Sequence, residues 1–270
     1  MAWLEADAVF NPDQISNKVI GIAAKLSSHD SGVHQHSKGQ LLYAQHGCIK
    51  ITLTEQLCFL PAGCIAWIPP HTPHRAEMQK VTGYRSIYLD TQQITCLPAQ
   101  ICVFVATTLL TELLERIAHS DFNSDWSEGV LHHLLQLCLH ELVHAQKKPV
   151  ILKFPQDRRL SQLTEDAYLL TLKQLALHVG ASEKTLSRIF LKETGLSFTQ
   201  WRNQWRYLRA LELLPLYKKI SPVSKALCFS SDSAFIHFFK SITGITPSAY
   251  LHGSISQTVL PTNLEKYAHI

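Results

Sequence analysis

Histidines suited to metal binding stand close together near the start of the chain, in the stretch "GVHQHSKGQ". His34 and His36 are two positions apart, and Gln40 follows four positions later. Residues two apart on a strand point to one face, so both imidazoles should converge on one point. Imidazole nitrogens together with an amide oxygen can hold Zn²⁺, Ni²⁺ or Fe²⁺. The pattern therefore predicts a metal site or a metal-free polar ligand pocket, and it leaves both alternatives open.

Short strands are the elements that must position these side chains. Between residues 18 and 95 the chain is rich in β-branched and aromatic residues and is interrupted by Gly and Pro. Regular turns of this kind are typical of an antiparallel barrel or sandwich. After Pro98, apolar residues recur at three- and four-residue intervals, which predicts two amphipathic helices within residues 105–146. A charged, Pro-containing linker follows, and helical periodicity then dominates from Leu160 to Leu251.

Composition favours an ordinary globular protein with two domains. The chain has 270 residues, of which 46% are hydrophobic, and this is enough to bury a substantial core. The N-terminal residues lack a basic start followed by an apolar run, and no apolar stretch is long enough to cross a bilayer. We therefore expect a cytoplasmic protein with no membrane partner. The seven cysteines form no C-x-x-C pair, which predicts reduced, mostly buried thiols.

Charge is distributed unevenly along the chain. Residues 1–150 carry ten Lys or Arg against thirteen Asp or Glu, whereas residues 151–270 carry fifteen against eight. Eleven of the fifteen histidines lie in the first half. A basic C-terminal half indicates a polyanionic partner, and a histidine-rich acidic half indicates a ligand or metal pocket. Charge spread evenly over a solvated surface is the alternative that these counts leave open.

The C-terminal segment contains a predicted helix-turn-helix in "TLKQLALHVGASEKTLSRIFLKETG". Thr171 and Gln174 have the spacing of a capping box that opens a short helix. Residues 179–182 predict a tight turn, in which Ser182 caps a second helix that ends near Lys192. The predicted core comprises Leu172, Leu175, Ala176, Leu186, Ile189 and Phe190. The outward face of the second helix carries Glu183, Lys184, Ser187 and Arg188.

A related pattern follows downstream in "SPVSKALCFSSDSAFIHFFKSITGITPSAY". Ser221 and Pro222 predict an N-cap with proline at the first helical position. Ser231 predicts the cap of a second helix that ends near Lys240. The outward face of that helix carries Asp232, Ser233, Ile236 and His237.

One helix is predicted to connect the two units, from the periodicity of "SFTQWRNQWRYLRALELL". Trp201 and Trp205 are expected to pack in the core, and Pro215 is expected to end the helix early. The arginines on the outer side are expected to stay exposed and hold phosphates, and they are Arg202, Arg206 and Arg209. Two recognition helices on such a spacer would read successive major-groove segments of double-stranded DNA.

This C-terminal segment resembles the DNA-binding domain of the AraC-type (AraC/XylS) transcription regulators. The resemblance covers residues 165–252 and rests on "L-x-R-x-F", on "ETGLSF" with the arginine-rich helix, on "SAFI…FFK" and on "G-x-T-P-S-A-Y". Both units contact DNA in that family, so the resemblance implies base-edge roles for Lys184, Ser187, Arg188, Asp232, Ser233 and His237. Cys228 stands where the family usually has a turn glycine, and Ser224 where it usually has alanine, which implies a looser second unit.

The N-terminal stretch resembles the cupin signature over residues 30–90. The H-x-H pair is followed by Gln40 where the family commonly has glutamate, and Gly63 to Pro69 gives the later G-x5-P, with His74 as the third histidine. His71 replaces a glycine of that second motif. AraC-type regulators often carry such a domain for sensing, so the resemblance implies an effector or metal pocket formed by His34, His36, Gln40 and His74.

Together these patterns predict an α+β protein with an N-terminal antiparallel cupin-like β-barrel, a helical connector and a C-terminal all-α domain with two helix-turn-helix units. The predicted ranges are 1–96 for the effector-binding domain, 97–148 for the connector and dimerisation region, 149–160 for a linker and 161–256 for the DNA-binding domain, with helix-turn-helix units at 171–192 and 221–242. The predicted function is a one-component regulator, activator or repressor, that binds operator DNA as a homodimer and has RNA polymerase as a further partner. A small molecule or metal ion in the pocket would shift operator binding.

Two alternatives from other classes stay open. One is a metal-dependent cupin enzyme, such as a dioxygenase or isomerase, with a DNA-binding appendage, although no general acid or base stands beside the histidines in sequence and we expect no catalysis. The other is a metal sensor whose effector is the ion itself. The stretch "HELVH" at 140–144 fits the zinc-protease pattern H-E-x-x-H literally, but it lies on a predicted amphipathic helix without a third ligand.

Overall fold

A computed structural model describes residues 3–4, 10–24, 28–79, 81–148, 150–161 and 163–252. The chain divides into two compact units. The N-terminal unit comprises the described residues up to Thr54 together with Leu60–Val150, and the C-terminal unit comprises Glu55–Phe59 together with the described residues from Ile151 onward. No helix within the described ranges is long and apolar enough to span a membrane.

Antiparallel strands form most of the N-terminal unit, as the sequence predicts. The strands of this part of the chain are β1 (Trp3–Leu4), β2 (Val19–Ala24), β3 (Ser28–Asp30), β4 (Gly39–His46), β5 (Cys48–Leu53), β6 (Gln56–Pro61), β7 (Cys64–Ile68), β8 (His74–Gln79), β9 (Thr82–Leu89) and β10 (Cys102–Val105), and residues 56–59 of β6 belong to the C-terminal unit. One sheet has the order β1-β2-β9-β4-β7-β10, in which only β1 is parallel to its neighbour. A second sheet pairs β5 with β8 and β8 with β3. The α+β class is confirmed, but the predicted barrel consists of two sheets that do not close.

Two amphipathic helices complete the N-terminal unit, α1 (Thr108–Ala118) and α2 (Gly129–His144). Their apolar faces join the first sheet in one hydrophobic cluster, which includes Leu114 of α1, Leu139 of α2 and Trp67 of β7. Gly21 on β2 permits the close approach of α1, since a Cβ there would lie 2.0 Å from the Ile117 carbonyl oxygen. The start of the segment predicted as a helical connector is not helical, because residues 102–105 form β10 and pair with β7.

Helices dominate the C-terminal unit. A 3-10 helix (Glu165–Leu169) precedes α3 (Leu172–His178), α4 (Glu183–Thr194), α5 (Phe198–Tyr217), α6 (Ile220–Ala226), α7 (Asp232–Thr243) and α8 (Pro247–Leu251). Residues 151–153, which were expected within a linker, form β11 (Ile151–Lys153) and pair with the start of β6. Trp201 and Trp205 are fully buried, as predicted, and the Trp201 indole donates to the Lys153 carbonyl oxygen at 2.7 Å.

Three helices of the C-terminal unit have the N-caps that the sequence predicts. Thr171 and Gln174 form the predicted capping box of α3. The hydroxyl oxygen of Ser182 accepts a hydrogen bond from the Thr185 amide, and Ser231 caps α7 in the same way. These caps satisfy amides that a helix N-terminus otherwise leaves without partners.

Two predictions about helix ends are wrong. The helix α6 begins at Ile220 rather than after Ser221, and its N-cap residue Lys219 makes no side-chain capping bond. Pro222 therefore occupies the third helical position, where it supplies no N–H for a cap. Pro215 does not end α5, which continues to Tyr217. Pro215 lies in the last turn of α5, and only two helical residues follow it.

Candidate functional site

Three histidines that are distant in sequence come together in the N-terminal unit. One ligand atom each from His34, His36 and His74 lies within 4.8 Å of the others. The expected strand geometry is wrong, because His34 and His36 lie in the loop before β4. His34 instead forms an isolated β-bridge with His74, in which each amide donates to the other's carbonyl oxygen at 2.9 Å. Backbone pairing across two separate segments, and not strand alternation, therefore positions the cluster.

Each histidine has one ring nitrogen bonded to a backbone carbonyl. The Nδ1 atoms lie 3.1 Å from the Gly32 oxygen for His34, 2.5 Å from the Lys38 oxygen for His36 and 2.8 Å from the Thr72 oxygen for His74. A carbonyl only accepts, so each Nδ1 carries a proton, and Nε2 is the ring nitrogen left for a metal ion or a ligand. Bonds of this type orient imidazole ligands in metal sites.

Gln40 is buried beside this cluster and completes its polar lining. Its Oε1 lies 3.3 Å from Nε2 of His36, while its Nε2 donates to the Ser86 hydroxyl at 2.8 Å and to the Tyr88 hydroxyl at 3.2 Å. The amide oxygen and the neutral imidazole nitrogen are both acceptors. In this amide orientation the two acceptors repel unless a proton or a metal cation bridges them, whereas the reverse orientation would place an N–H donor toward His36. The donor set of three imidazoles and one amide oxygen therefore fits a divalent transition metal.

Burial controls the charge of these rings. Desolvation lowers the pKa of the His74 imidazole to about 4 and also lowers the pKa of His36. Both rings are therefore neutral near pH 7, which is the protonation state that binds a metal ion. Burial also raises the pKa of the Tyr88 phenol to about 12, so this hydroxyl group remains protonated beside Gln40.

Sequence reasoning missed the residues that support the site. Ser86 and Tyr88 alternate on β9 and hold Gln40, and a polar residue within an otherwise buried strand is the signal that could have identified Ser86. Asp13 accepts hydrogen bonds from the amide and hydroxyl groups of Ser37. Lys38 is buried, and its ammonium donates to the Pro12 and Ile15 carbonyl oxygens. These contacts fix the loop that carries His34 and His36.

The C-terminal unit places the predicted DNA-reading residues on two helices. Lys184 and Arg188 are exposed on α4, and Ser187 is half-buried between them. Ser233 and His237 are exposed on α7, where Asp232 is half-buried in the first turn. The opposite faces of both helices are buried, through Leu186 and Phe190 in α4 and through Phe235 and Phe239 in α7.

The two helix-turn-helix turns share one backbone pattern. The Ala181 amide donates to the Ala176 carbonyl at 2.9 Å in the first, and the Phe229 amide donates to the Ser224 carbonyl at 3.1 Å in the second. The left-handed residue is Gly180, with φ of 65°, in the first turn and Cys228, with φ of 56°, in the second. Cysteine therefore adopts the conformation for which glycine is suited, and the turn keeps its shape.

The arginines of α5 do not stay exposed, contrary to the sequence prediction. Arg202 is half-buried, and its guanidinium donates to the Leu169 carbonyl oxygen at 2.9 and 2.5 Å. Arg206 donates to the Cys228 carbonyl at 2.9 Å and lies 4.7 Å from the centre of the Phe229 ring. Burial lowers the pKa of Arg206 to about 10. Arg202 therefore connects α5 to the 3-10 helix before α3, and Arg206 connects it to the turn of the second helix-turn-helix unit.

Family models match both parts of this architecture. Residues 16–172 match an AraC-like ligand binding domain, and residues 175–253 match a helix-turn-helix domain. The chain belongs to the AraC family of transcription regulators. As a member of this family it is a transcription regulator with an N-terminal ligand-binding domain and a C-terminal helix-turn-helix DNA-binding domain.

Curated AraC-family relatives are similar to this chain. The HTH-type transcriptional regulator NimR of Escherichia coli (strain K12) is 28% identical over 249 residues, which cover 90% of this chain and 90% of NimR. The HTH-type transcriptional regulator RipA of Corynebacterium glutamicum is 39% identical over 85 residues, which cover 32% of this chain and 26% of RipA. A solved structure of ToxT from Vibrio cholerae is 12% identical, with a TM-score of 0.35 over 87% of this chain and 98% of that chain.

Proposed function

We propose that this AraC-family regulator binds operator DNA under the control of a divalent metal ion held by His34, His36, His74 and Gln40. The observation that carries the proposal is the convergence of three imidazoles, each with Nδ1 bonded to a backbone carbonyl. A bound ion would supply positive charge where their lone pairs meet. The three histidines leave coordination positions for Gln40 and for a small-molecule effector.

Glutamine gives the site a way to exist without metal. If the Gln40 amide turns over, its N–H groups can donate to His36 Nε2 while its oxygen accepts from the hydroxyl groups of Ser86 and Tyr88. All buried polar groups then remain satisfied at no net charge. A carboxylate at this position would instead leave a buried charge without an ion. The two amide orientations therefore provide a metal-bound and a metal-free state of similar packing.

The role of the site is regulatory and not catalytic in this proposal. Ser86 and Tyr88 are engaged by Gln40, and the raised pKa of Tyr88 makes it a poor general base at neutral pH. Ligand binding that favours one conformation shifts its population, and operator affinity changes with it. The ion alone, or an ion with a small molecule, would serve as the effector.

DNA reading is proposed for the exposed groups of α4 and α7. Arg188 and Lys184 are suited to guanine edges in the major groove. Ser187, Asp232, Ser233 and His237 are proposed as the remaining base contacts. Arg202 and Arg206 are assigned a positioning role, because their guanidinium groups bond to backbone carbonyls.

The proposed assembly is a cytoplasmic homodimer that also contacts RNA polymerase. Exposed apolar side chains on α1 and α2 support the dimer, since Leu109, Val130, Leu137 and Val143 are 47%, 66%, 42% and 53% exposed. Sedimentation that finds only monomer at micromolar concentration would contradict the dimer without affecting the metal site.

Metal content tests the site. We expect the pocket to contribute about one ion per chain, measured as the difference in metal content between the wild type and His36→Ala by mass spectrometry of the purified full chains after exposure to Zn²⁺, Ni²⁺ or Fe²⁺. His36→Ala should lose the ion, whereas Gln35→Ala, an exposed neighbour between the two histidines, should retain it. Gln40→Glu should bind the ion more tightly, because it adds a negative charge. Equal metal content in wild type and His36→Ala would exclude this site.

A further inference from the structure

A second group of histidines lies on the exposed face of α2. Val130, His133, Leu137, His140 and His144 follow one another at intervals of three and four residues, which places them in one stripe along the helix. All five are exposed, and Val130 and Leu137 are 66% and 42% exposed although they are apolar. The opposite face is buried in the hydrophobic cluster through Leu135, Cys138 and Leu142. Among the residues that the structure describes, the stripe is therefore an accessible surface that combines apolar and imidazole groups.

His140 and His144 are neighbours on the exposed face of α2. Their ring centres are 4.3 Å apart with an interplanar angle of 31°. Nδ1 of His144 lies 2.8 Å from the His140 carbonyl oxygen, so Nδ1 donates to this bond and Nε2 is the nitrogen left for a metal ion. Histidines four residues apart on a helix can bind one metal ion together.

The glutamate of "HELVH" does not take part. The Thr107 hydroxyl donates to Oε2 of Glu141 at 3.1 Å, which holds the carboxylate toward the start of α1. A zinc protease needs this carboxylate beside its metal-bound water. The motif is therefore better explained as a pair of ligands on a helix surface than as a protease site.

We propose that His140 and His144 bind a transition-metal ion such as Zn²⁺, and that His133 of a second copy of this chain supplies the third ligand. Two histidines leave two positions of a tetrahedral ion open. Another copy carries the same stripe, and a two-fold interface pairs a patch with itself. The site goes beyond the proposed ligand pocket, and its only link to the proposed function is the dimer.

Helix dimensions support a two-fold axis near Leu137. With a rise of about 1.5 Å per residue, His133 lies about 6 Å from Leu137 along the helix axis, and His140 and His144 lie about 4.5 and 10.5 Å away in the other direction. When the second α2 runs antiparallel across this axis, the partner's His133 reaches the height between His140 and His144. The exposed Leu137 side chains then meet at the centre. The arrangement creates two identical metal sites in one dimer.

Sedimentation velocity of the full chain tests the proposal, with ZnCl₂ or with EDTA in the buffer. We expect Zn²⁺ to tighten dimerisation at least tenfold in the wild type. His140→Ala and His144→Ala should abolish this effect, and His133→Ala should reduce it. Gln136→Ala, an exposed residue of the same helix, should leave it unchanged. Alanine has high helix propensity, so these variants should retain α2, as circular dichroism can check.

The effect of Zn²⁺ at α2 must be distinguished from the binding of Zn²⁺ in the ligand pocket. The Zn²⁺ effect should persist in His34→Ala, which alters the pocket histidines and leaves α2 intact. A dimer whose affinity is the same in ZnCl₂ and EDTA would overturn the proposal, and so would a Zn²⁺ effect that persists in His140→Ala. Zn²⁺ binding to α2 without any change in the mass of the sedimenting protein would also overturn the proposal. A protein that remains monomeric under all conditions would contradict the proposed dimer as well.

Discussion

The two helix-turn-helix units have the same backbone path but differ in how local chemistry stabilises it. The first begins with a capping box at Thr171 and turns at Gly180. The second begins at Lys219 without a side-chain cap and turns at Cys228, a non-glycine residue with positive φ. A left-handed conformation costs such a residue about 1 kcal/mol or more. The second unit therefore depends more on contacts from outside its own two helices.

Arg206 supplies such a contact. Its guanidinium bonds to the Cys228 carbonyl and lies over the Phe229 ring, so a side chain of α5 holds the strained turn in place. An unfavourable residue in a turn can thus be tolerated when a distant residue fixes the turn. We expect the first unit to contribute more of the DNA specificity and the second unit to open more easily.

The largest expected difference is in DNA affinity. Arg188→Ala should weaken binding to the preferred sequence by about 1–3 kcal/mol and relax preference at one base position. His237→Ala, the exposed counterpart on α7, should cost less than about 1 kcal/mol. Binding titrations against a set of single-base variants of the operator measure both effects. A loss for Arg188→Ala that is equal for all sequences would identify a phosphate contact instead.

Loss of the Arg206 contacts should make the second helix-turn-helix unit open more easily. Arg206→Ala loses a charge-assisted hydrogen bond and a cation–π contact, which together contribute about 2 kcal/mol. Native-state hydrogen exchange should therefore accelerate in α6 and α7, while exchange in α3 and α4 stays unchanged. If Arg206 acts mainly on phosphate, exchange would not change, and the salt dependence of DNA binding would fall instead.

Substitution of the two turn residues should change the stability of the two helix-turn-helix units in opposite directions. Gly180→Ala should destabilise the first unit by about 1 kcal/mol through backbone strain alone, because an added Cβ meets no atom within 4 Å. Cys228→Gly should stabilise the second unit by somewhat less than about 1 kcal/mol, because glycine also gains entropy in the unfolded chain. Cys228→Ala removes the thiol and keeps the strain, so it should show no such gain. Native-state hydrogen exchange in α3, α4, α6 and α7 distinguishes these outcomes.

The smallest expected effect concerns the start of α6. Lys219→Asp introduces an acceptor at the N-cap position, but Pro222 removes one of the amides that it could bind. The gain should therefore be about 0.5 kcal/mol, at the low end for an N-cap. A gain as large as that expected of a full capping box would show that the missing cap, and not the turn, distinguishes the second unit.

Local chemistry explains which parts of this structure the sequence predicts. Ser182 and Ser231 cap their helices as expected, because a cap involves residues only three positions apart. The predicted exposure of Arg202 and Arg206 was wrong. Their carbonyl partners lie 33 and 22 residues away, and helical periodicity carries no information about such distant partners. The same limit applies to the candidate ligand site, where the identity of the histidines was predicted but their β-bridge was not.

The most direct test of the central claim is operator affinity measured with the pocket loaded and stripped. DNA fragments selected by the wild-type protein would be titrated in the presence of the ion found in the purified protein and again after its chelation. Because ligand and operator binding are linked, the affinity should change by about tenfold or more between the two conditions in the wild type and in Gln35→Ala. It should be the same in both for the double variant His36→Ala/His140→Ala, which lacks both proposed ion sites, and it should still change in His140→Ala, which lacks only the α2 site. An operator affinity that is identical with and without the ion in the wild-type protein would contradict control through His34, His36 and His74.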